Sequence, residues 1–354
     1  MMSRVQAIQN KMKAQGLEAL LLTSSYNLRY ASNFTGSTGL SVITLDKAYF
    51  VTDFRYTEQA AEQAAGFEII KNTGPIYDEV KRIVEKEDIS SLAFEKDFVT
   101  FSTYDQLNTL LPCELNPVSG LVESLREVKE ATEVDTIRQA IQITEYAFNE
   151  ILNYIKPGIK EIDVANKLDF LMREKGASGV SFDTIVASGK RSAMPHGVAS
   201  DKIIEQGDMI TIDFGCYYNG YVSDMTRTFA LGDPGAELKK IHQIVLDANL
   251  KVTQQAKAGV TGKALDAVAR DYIREQGYGE AFGHSTGHGI GLEVHEGPGI
   301  HFRNESPLVK GNVITNEPGI YLPGLGGVRI EDDLLITEDG NENLMTVSKE
   351  LIQL

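Results

Sequence analysis

Two aspartates, Asp213 and Asp224, lie in a segment whose pattern predicts a β-hairpin. Residues 207–229 contain two runs of alternating apolar and polar side chains joined by Asn219-Gly220, a dipeptide that favours a two-residue turn between strands. In that register the aspartates are diagonal neighbours on one face, with Cβ atoms roughly 7 Å apart or less. Because carboxylates this close repel each other unless a cation lies between them, the pair indicates a metal site. Two solvated carboxylates on an exposed face are the alternative.

Three of the six histidines, His284, His288 and His295, fall within twelve residues. Such clustering is difficult to ascribe to a surface. The glycines within and beside this segment argue against a helix and for extended backbone packed closely against a neighbour: they are Gly283, Gly287, Gly289 and Gly291. A phosphate-binding loop is disfavoured because the Lys-Ser/Thr pair of such loops is missing. His242, flanked by two lysines on a predicted helix, is expected at the surface.

Two glutamates, Glu317 and Glu331, stand in strand-like segments further along the chain. Strand alternation places Arg329, Glu331 and Asp333 on one face. Any one of these acids alone is more often structural. Combined with the two aspartates and one histidine, the glutamates form a set of hard oxygen donors with a single imidazole, which suits Mn²⁺, Co²⁺, Fe²⁺ or Zn²⁺.

The elements that must position these residues divide into two predicted domains, 1–124 and 125–354, as expected for 354 residues. The first is predicted to be α/β, with a strand at Ala19–Leu22 and a hairpin of Leu40–Leu45 with Ala48–Val51. Further helices are expected near 56–65, 77–87 and 104–111, and further strands at 67–70 and 91–94. The second begins with a long helix from about Thr132 to Pro157.

An internal repeat is present in the second predicted domain. Residues 156–176 and 257–277 align without gaps at an offset of 101 positions, with five of twenty-one residues identical. The repeat predicts an approximately two-fold domain with a site between its halves. Chance similarity between two amphipathic helices is the alternative interpretation.

The bulk composition excludes some classes of partner. The formal net charge of −16 and the lack of a basic stripe disfavour binding to nucleic acid or anionic membranes. The sequence predicts neither a signal peptide nor a membrane span. Cys113 and Cys216 have no metal or redox spacing, so reduced thiols in a cytoplasmic protein are expected.

The motifs taken together resemble those of the pita-bread metallopeptidases, which comprise methionine aminopeptidase, Xaa-Pro aminopeptidase, prolidase and the non-metal creatinase. The resemblance covers about residues 130–354, and the preceding region more loosely. It implies an α+β fold, with a pita-bread catalytic domain of internal pseudo-two-fold symmetry preceded by an α/β creatinase-like N-terminal domain. The matching motifs are Asp-Phe-Gly with Ser-Asp-Met-Thr-Arg-Thr, Gly-His-Gly-Ile-Gly, Glu-Pro-Gly and Val-Arg-Ile-Glu-Asp.

The resemblance implies five ligands for two divalent metal ions: Asp213, Asp224, His288, Glu317 and Glu331. Asp224 and Glu331 would bridge both ions. Asp213 would bind one ion, and His288 with Glu317 would bind the other. Mn²⁺ is expected, with Co²⁺, Zn²⁺ or Fe²⁺ as alternatives, because the same ligands accept several metals and availability decides among them.

Catalytic roles follow from the same resemblance. His196, in Ala-Met-Pro-His-Gly, and His295, in Val-His-Glu, resemble imidazoles that face the substrate. Arg329 resembles the arginine behind the bridging glutamate, and His284 matches a further histidine of the proline-specific members. The implied mechanism is hydrolysis by a metal-activated water, in which Glu317 carries the proton and a histidine stabilises the tetrahedral intermediate.

The implied function is cleavage of the peptide bond before proline, by a homodimer acting on small peptides with proline in second position. A catalytically inactive binding module is the alternative from another class, and it is disfavoured because all five ligand positions are intact. Creatinase-like activity is disfavoured for the same reason. Methionine aminopeptidase is disfavoured by the separate domain that precedes the catalytic one.

Two departures from the family pattern bear on specificity and packing. Asn316 stands where a hydrophobic residue usually precedes Glu-Pro-Gly, and altered packing is expected because it points away from Glu317. Some prolidases have an arginine where this chain has Gly299, so Arg303 is the nearest candidate to pair with a substrate carboxylate. The sequence leaves the choice between dipeptidase and aminopeptidase open.

Overall fold

A computed structural model describes residues 3–354, and these residues form two units, the first ending at Arg126 and the second being Glu127–Leu354. The helices of the first unit are α1 (Arg4–Ala14), α2 (Ser25–Ser32), α3 (Thr57–Gln63), α4 (Ile76–Lys86), α5 (Phe101–Leu110) and α6 (Glu123–Arg126). Its strands are β1 (Ala19–Leu22), β2 (Leu40–Thr44), β3 (Ala48–Thr52), β4 (Glu68–Lys71), β5 (Ser91–Glu95) and β6 (Glu114–Val118).

The strands of the first unit form one mixed sheet in the order β4-β3-β2-β1-β5-β6. The central strand β1 is buried along its whole length, which explains why its sequence is continuously apolar. The α/β character predicted for this domain is confirmed, with strands at each of the five predicted positions. Strand β6 was not predicted, because it contains Pro117, and proline is rare inside strands. The strand lies at the edge of the sheet, where a proline is tolerated.

The second unit contains four α-helices among its described residues: α7 (Ala131–Leu152), α8 (Glu161–Glu174), α9 (Ala236–Gln255) and α10 (Gly262–Glu275). Its first strands are β7 (Gly179–Val180), β8 (Ile185–Ser188), β9 (Met209–Phe214), β10 (Cys216–Tyr218), β11 (Tyr221–Val222) and β12 (Met225–Ala230). The later strands are β13 (Gly287–Gly289), β14 (Glu296–Ile300), β15 (Val313–Asn316), β16 (Gly319–Leu322), β17 (Gly326–Arg329), β18 (Asp332–Ile336) and β19 (Asn341–Asn343).

The internal repeat predicted from the sequence is confirmed in the backbone. Helices α8 and α10 both have 14 residues, and their ends are related by the same offset of 101 positions. Before α8, the Gly158 amide donates to the Ile204 carbonyl at 2.9 Å, and before α10 the Gly259 amide donates to the Leu308 carbonyl at 2.8 Å. Each half of the unit thus fastens its helix to a following segment in the same way, so chance similarity is excluded.

The aspartate segment is more broken than the predicted hairpin. Tyr218 pairs with Tyr221, and Asp213 pairs with Thr226, as the two-residue turn requires. The runs nevertheless divide into β9 and β12 in one sheet and β10 and β11 in another. The division occurs at Gly215, where a Cβ atom would overlap the Ser223 carbonyl. Local sequence cannot reveal this close approach, because it depends on how the two sheets meet.

Two further predictions are corrected. Helix α7 ends at Leu152 rather than at Pro157, because a tighter turn follows in which the Tyr154 amide donates to the Ile151 carbonyl. His242 is buried on α9, with 2% of its surface exposed. The nearby lysines indicated a solvated face, but the exposed Lys240, two positions before His242, lies about 200° around the helix from it. No helix in residues 3–354 has the length and apolar character needed to cross a membrane.

Burial of His242 makes the protein sensitive to acid. Burial lowers the pKa of His242 from 6.5 to about 4, and a hydrogen bond with the Thr228 backbone opposes this only in part. Its Nε2 atom has no hydrogen-bond partner within the described chain. As the pH falls from 6.5 towards 4, the unfolded chain binds a proton at this histidine that the folded chain rejects, so stability is lost across that window.

We predict that His242→Leu reduces this sensitivity. The free energy of unfolding of the wild type should fall by about 3 kcal/mol more between pH 6.5 and pH 4 than that of the variant. Urea denaturation at a series of pH values measures the difference. Parallel stability curves for the two proteins would contradict the assignment.

Candidate metal centre

Five acidic and imidazole side chains from distant parts of the second unit line one cavity of about 420 Å³. Asp213 lies on β9, and His288 lies on β13. Asp224 immediately precedes β12, whereas Glu317 and Glu331 occupy the short breaks between β15 and β16 and between β17 and β18. The structure therefore brings together all five residues that the sequence motifs single out as ligands.

The distances within this group are those of side chains converging on a small volume. The His288 Nε2 atom lies 3.3 Å from Glu317 Oε1 and 3.7 Å from Asp224 Oδ2. One donor atom each from Asp224, His288 and Glu331 lie within 4.8 Å of one another. A single cation could be contacted by several of these atoms at once.

Without a bound cation, the ionised forms of these carboxylates are unfavourable, because the groups are removed from water and repel one another. Burial raises the pKa of Asp224 well above its ordinary value, and the negative charge of Glu331 raises it further. Burial also raises the pKa of Glu331 well above its ordinary value, with further contributions from Glu317 and Asp213. Burial likewise raises the pKa of Glu317. A cation among these groups would remove the repulsion and favour their ionised forms.

His288 has the tautomer that a metal ligand needs. Its Nδ1 atom lies 3.1 Å from the Gly289 carbonyl oxygen, so Nδ1 carries the proton and Nε2 presents its lone pair to the acidic side chains. Burial lowers the pKa of His288, which favours the neutral ring. The ring is therefore ready to coordinate rather than to form an ion pair.

An unsatisfied oxygen atom of Asp213 supports the fit to a hard divalent cation. Asp213 lines the cavity, and within residues 3–354 its buried Oδ1 atom has no hydrogen-bond partner. The other oxygen of Asp213 accepts from Arg329 Nη2 at 2.5 Å. Buried polar atoms without partners are rare and costly in proteins. A donor set of carboxylates with one imidazole fits Mn²⁺, Co²⁺, Fe²⁺ or Zn²⁺.

Arg329 joins several side chains of the site. In addition to Asp213, it donates from Nη1 to the Tyr321 hydroxyl at 2.7 Å and from Nε to Thr226 Oγ1 at 3.2 Å. Thr226 Oγ1 in turn donates to Glu331 Oε2 at 2.7 Å. Arg329 thus orients one carboxylate directly and a second through a threonine, which accounts for its place behind the predicted ligands.

Tyr321 was not singled out by the sequence, although it fixes the state of His284. Because the Tyr321 oxygen accepts from Arg329, its own proton points to His284 Nε2, 2.8 Å away. His284 Nδ1 then donates to the Ser285 carbonyl at 2.8 Å. Both nitrogens of His284 are engaged by the protein, so in this arrangement the ring forms part of the cavity wall and offers the substrate no free donor.

The remaining predicted site residues lie at different distances from the cavity. His196 and His295 both line it, and the His295 ring centroid lies 4.3 Å from that of His288. Arg303 does not line it: this exposed side chain places its guanidinium 5.0 Å from the Phe302 ring centroid. Of the cationic side chains in residues 3–354, Arg329 alone lines the cavity, apart from the histidines.

Asn316 points away from the cavity. Its Nδ2 atom donates to the Asn249 carbonyl at 2.9 Å and to Thr253 Oγ1 at 3.1 Å. Asn249 Nδ2 donates back to the Asn316 carbonyl at 2.9 Å. This unusual residue therefore ties strand β15 to helix α9 and leaves the side chain of Glu317 undisturbed.

The glycines beside His288 permit three strands to approach closely. A Cβ atom added to Gly287 would overlap the Thr315 carbonyl, and one added to Gly289 would overlap the Gly297 carbonyl. Gly283, four residues before Gly287, has open space where its Cβ would lie. A Cβ atom added to Gly291 would overlap the Glu296 side chain. The close packing that the glycine pattern predicts is thus confirmed for three of the four positions, and at Gly287 and Gly289 it is backbone that lies against the glycine.

Comparisons with known proteins agree with these features. The model of the metallopeptidase family M24 matches residues 135–338, and that of the creatinase/prolidase N-terminal domain matches residues 4–128. The chain is 51% identical to an uncharacterized peptidase, YqhT, of Bacillus subtilis and 40% identical to an Xaa-Pro dipeptidase of Pyrococcus horikoshii, with 99% of each chain covered in both cases.

Solved structures show the same likeness. An Xaa-Pro dipeptidase from Bacillus anthracis superimposes with a TM-score of 0.98 at 51% identity, covering 99% of both chains. An X-Pro aminopeptidase from Thermotoga maritima superimposes with a TM-score of 0.91 at 44% identity, covering 98% of this chain and all of that one.

We predict that Gly287→Ala destabilises the protein by roughly 3 kcal/mol, because the new methyl group must displace the backbone of β15. Gly283→Ala is the matched control, and it should change the free energy of unfolding by less than about 0.5 kcal/mol. Chemical denaturation of both variants without added metal measures the difference. Equal effects from the two substitutions would show that close packing is not the reason for these glycines.

Proposed function

Because the chain belongs to the metallopeptidase family M24, and is therefore a peptidase, we propose that it hydrolyses the peptide bond that precedes proline. The observation that carries the proposal is the convergence of Asp213, Asp224, His288, Glu317 and Glu331 on one cavity. The names of its relatives support the choice of substrate, since both the dipeptidase and the aminopeptidase among them act on Xaa-Pro bonds.

The proposed cofactor is a pair of divalent metal ions, with Mn²⁺ as the first choice. Asp224 and Glu331, which with His288 place one donor atom each within 4.8 Å of one another, would contact both ions. Asp213 would hold one ion, and His288 with Glu317 would hold the other. When bound, such ions supply an activated water and polarise the carbonyl of the substrate.

The side chains of the protein would provide the remaining steps. Glu317 would accept a proton at its carboxylate and deliver it to the leaving nitrogen. His295 and His196, which line the same cavity, would donate hydrogen bonds to the carbonyl oxygen as it gains negative charge. Arg329 would hold the Asp213 carboxylate in a fixed orientation through the hydrogen bond from Nη2.

The cationic side chains of the cavity bear on the length of the substrate. Arg329 is already paired with Asp213 and Tyr321, and Arg303 lies outside the cavity lining. The second unit by itself therefore offers no uncommitted arginine or lysine among the described lining residues to the carboxylate of an Xaa-Pro dipeptide. This favours longer peptides, and hence an aminopeptidase. The homodimer and the cytoplasmic location stay predictions from the sequence.

We predict that the wild type, loaded with Mn²⁺, cleaves Ala-Pro-Ala at a rate on the order of 10²-fold above that for Ala-Ala-Ala. Including Ala-Pro tests the dipeptidase alternative. Asp224→Asn should abolish both metal binding and hydrolysis, because it removes charge from a ligand of both ions. Asp233→Asn, at a carboxylate 74% exposed, is the matched control and should behave as the wild type.

The outcomes separate the possibilities. An Asp224→Asn variant that keeps two metal ions and full activity would contradict the proposed ligand set. A wild type that binds metal but cleaves only peptides without proline would be a metallopeptidase of another specificity. A wild type that binds metal and cleaves no peptide would favour the binding-module alternative.

We also predict that His295→Ala lowers kcat on the order of 10²-fold, the effect of removing one hydrogen-bond donor to the transition state. Its metal content, measured by elemental analysis after dialysis, should be unchanged. A loss of one metal ion in this variant would instead make His295 a ligand.

A further inference from the structure

A fully buried carboxylate lies behind the loop that carries His196. Glu161, on the first turn of α8, has 0% of its surface exposed. The segment from Ser188 to Ser200, which we call the His196 loop, passes in front of it and supplies three residues of the cavity lining: Pro195, His196 and Val198. Burying a charged group is unfavourable unless several hydrogen-bond donors replace water. The donors that contact Glu161 therefore identify the parts of the chain that this side chain fixes in place.

Glu161 grips both ends of the His196 loop. Its Oε1 atom accepts from the amide of Ser188 at 2.9 Å and from the hydroxyl of the same residue at 2.9 Å. Its Oε2 atom accepts from the amide of Ser200 at 3.2 Å and from that hydroxyl at 2.7 Å. One side chain thus closes a thirteen-residue loop, and charge strengthens each of these hydrogen bonds.

A third contact extends this grip to His196. Arg191 donates from Nη1 to Glu161 and from Nη2 to the Val198 carbonyl at 2.9 Å. The Val198 amide donates to the His196 carbonyl at 2.9 Å. The path from the buried carboxylate to the backbone of His196 therefore consists of one ion pair and two hydrogen bonds.

The other half of the repeat uses the same device for a different histidine. On α10, Asp266 is 1% exposed and accepts from the amide and hydroxyl of Thr286 at 3.1 and 2.9 Å. It also pairs with Arg270, whose Nη2 atom donates to the His284 carbonyl at 2.8 Å. Asp266 is not the repeat equivalent of Glu161, which is Gly262. The two halves therefore meet the same requirement from different helical positions.

We propose that Glu161 is a positioning residue: through Arg191 and the ends of the His196 loop, it holds His196 against the reacting carbonyl. The inference rests on the proposed function for the reaction, but the restraint of the loop stands apart from it. Because hydrogen bonds to a transition state depend steeply on geometry, a displacement of His196 by about 1 Å can lower the rate on the order of 10²-fold.

The first experiment measures the restraint without any activity. Glu161→Gln removes the charge and places the side-chain amide group against the donors of Ser188 and Ser200. The backbone amides of residues 188–200 should therefore exchange hydrogen on the order of tenfold faster than in the wild type. Those of residues 282–286 should keep the wild-type rate. Asp266→Asn should give the reverse pattern. Asp201→Asn, one residue beyond the loop and 84% exposed, should change neither segment.

The second experiment tests whether Glu161 acts through His196. In the wild-type background, Glu161→Gln should lower kcat on the order of tenfold or more, with KM changed less than about twofold and metal content unchanged. In a His196→Ala background the same substitution should cost less than about twofold, because the group it positions is gone. Asp266 holds the loop that carries His284 rather than the His196 loop. Asp266→Asn should therefore lower kcat by the same factor in both backgrounds.

Each outcome decides the proposal. Unchanged exchange in residues 188–200, or equal kcat losses from Glu161→Gln in both backgrounds, would overturn it. If the wild type cleaves no proline peptide, the proposed function fails while the exchange pattern still tests the restraint. If Glu161→Gln does not fold, Arg191→Gln replaces it, since this side chain is 27% exposed. Its loss removes the ion pair with Glu161 and the hydrogen bond to Val198, while the contacts of Glu161 with Ser188 and Ser200 remain.

Discussion

The repulsion among four clustered carboxylates, three of them buried, is the constraint on which the rest of the second unit depends. Asp213, Asp224, Glu317 and Glu331 line one cavity, and burial raises the pKa of Asp224 and Glu331 well above ordinary values. Without opposing contacts, such a group would relax by protonation or by separating. The strands that carry it are therefore held from behind, by close backbone packing and by cations outside the cavity.

Those cations, Arg227 and Lys349, contact groups next to the ligands rather than the ligand carboxylates. Arg227 donates to the Glu331 carbonyl and, at 2.9 Å, to Asp332 Oδ1. Lys349 donates to the other oxygen of Asp332 at 2.5 Å. Asp332 is completely buried, and its two cationic partners balance its charge, while Arg227 also holds the backbone of the adjacent Glu331. Positive charge is thus placed where it steadies the site without filling the space that divalent cations would take.

The pseudo-two-fold repeat explains how one site can draw on segments so far apart. The first half supplies Asp213 from β9 and Asp224 from the residue before β12, and the second half supplies the histidine and the two glutamates. Each half also places a helix with a buried acid behind a loop that carries a further histidine, Glu161 for His196 and Asp266 for His284. The halves share an architecture, but their sequences have diverged around different functional side chains.

The sequence by itself determined the local elements and the identity of the acidic and imidazole group. Short-range patterns were sufficient for these elements. A continuous apolar run predicted β1, helical spacing predicted the repeated helices, and strand alternation with the Asn219-Gly220 turn predicted that Asp213 lies opposite Thr226. The tertiary structure decided what depends on distant neighbours: the division at Gly215, the burial of His242, and the hydrogen bonds by which Tyr321 engages both nitrogens of His284. The grip of Glu161 on Ser200 spans 39 positions. Contacts of this range exist only after the sheets and helices have packed, so no local pattern encodes them.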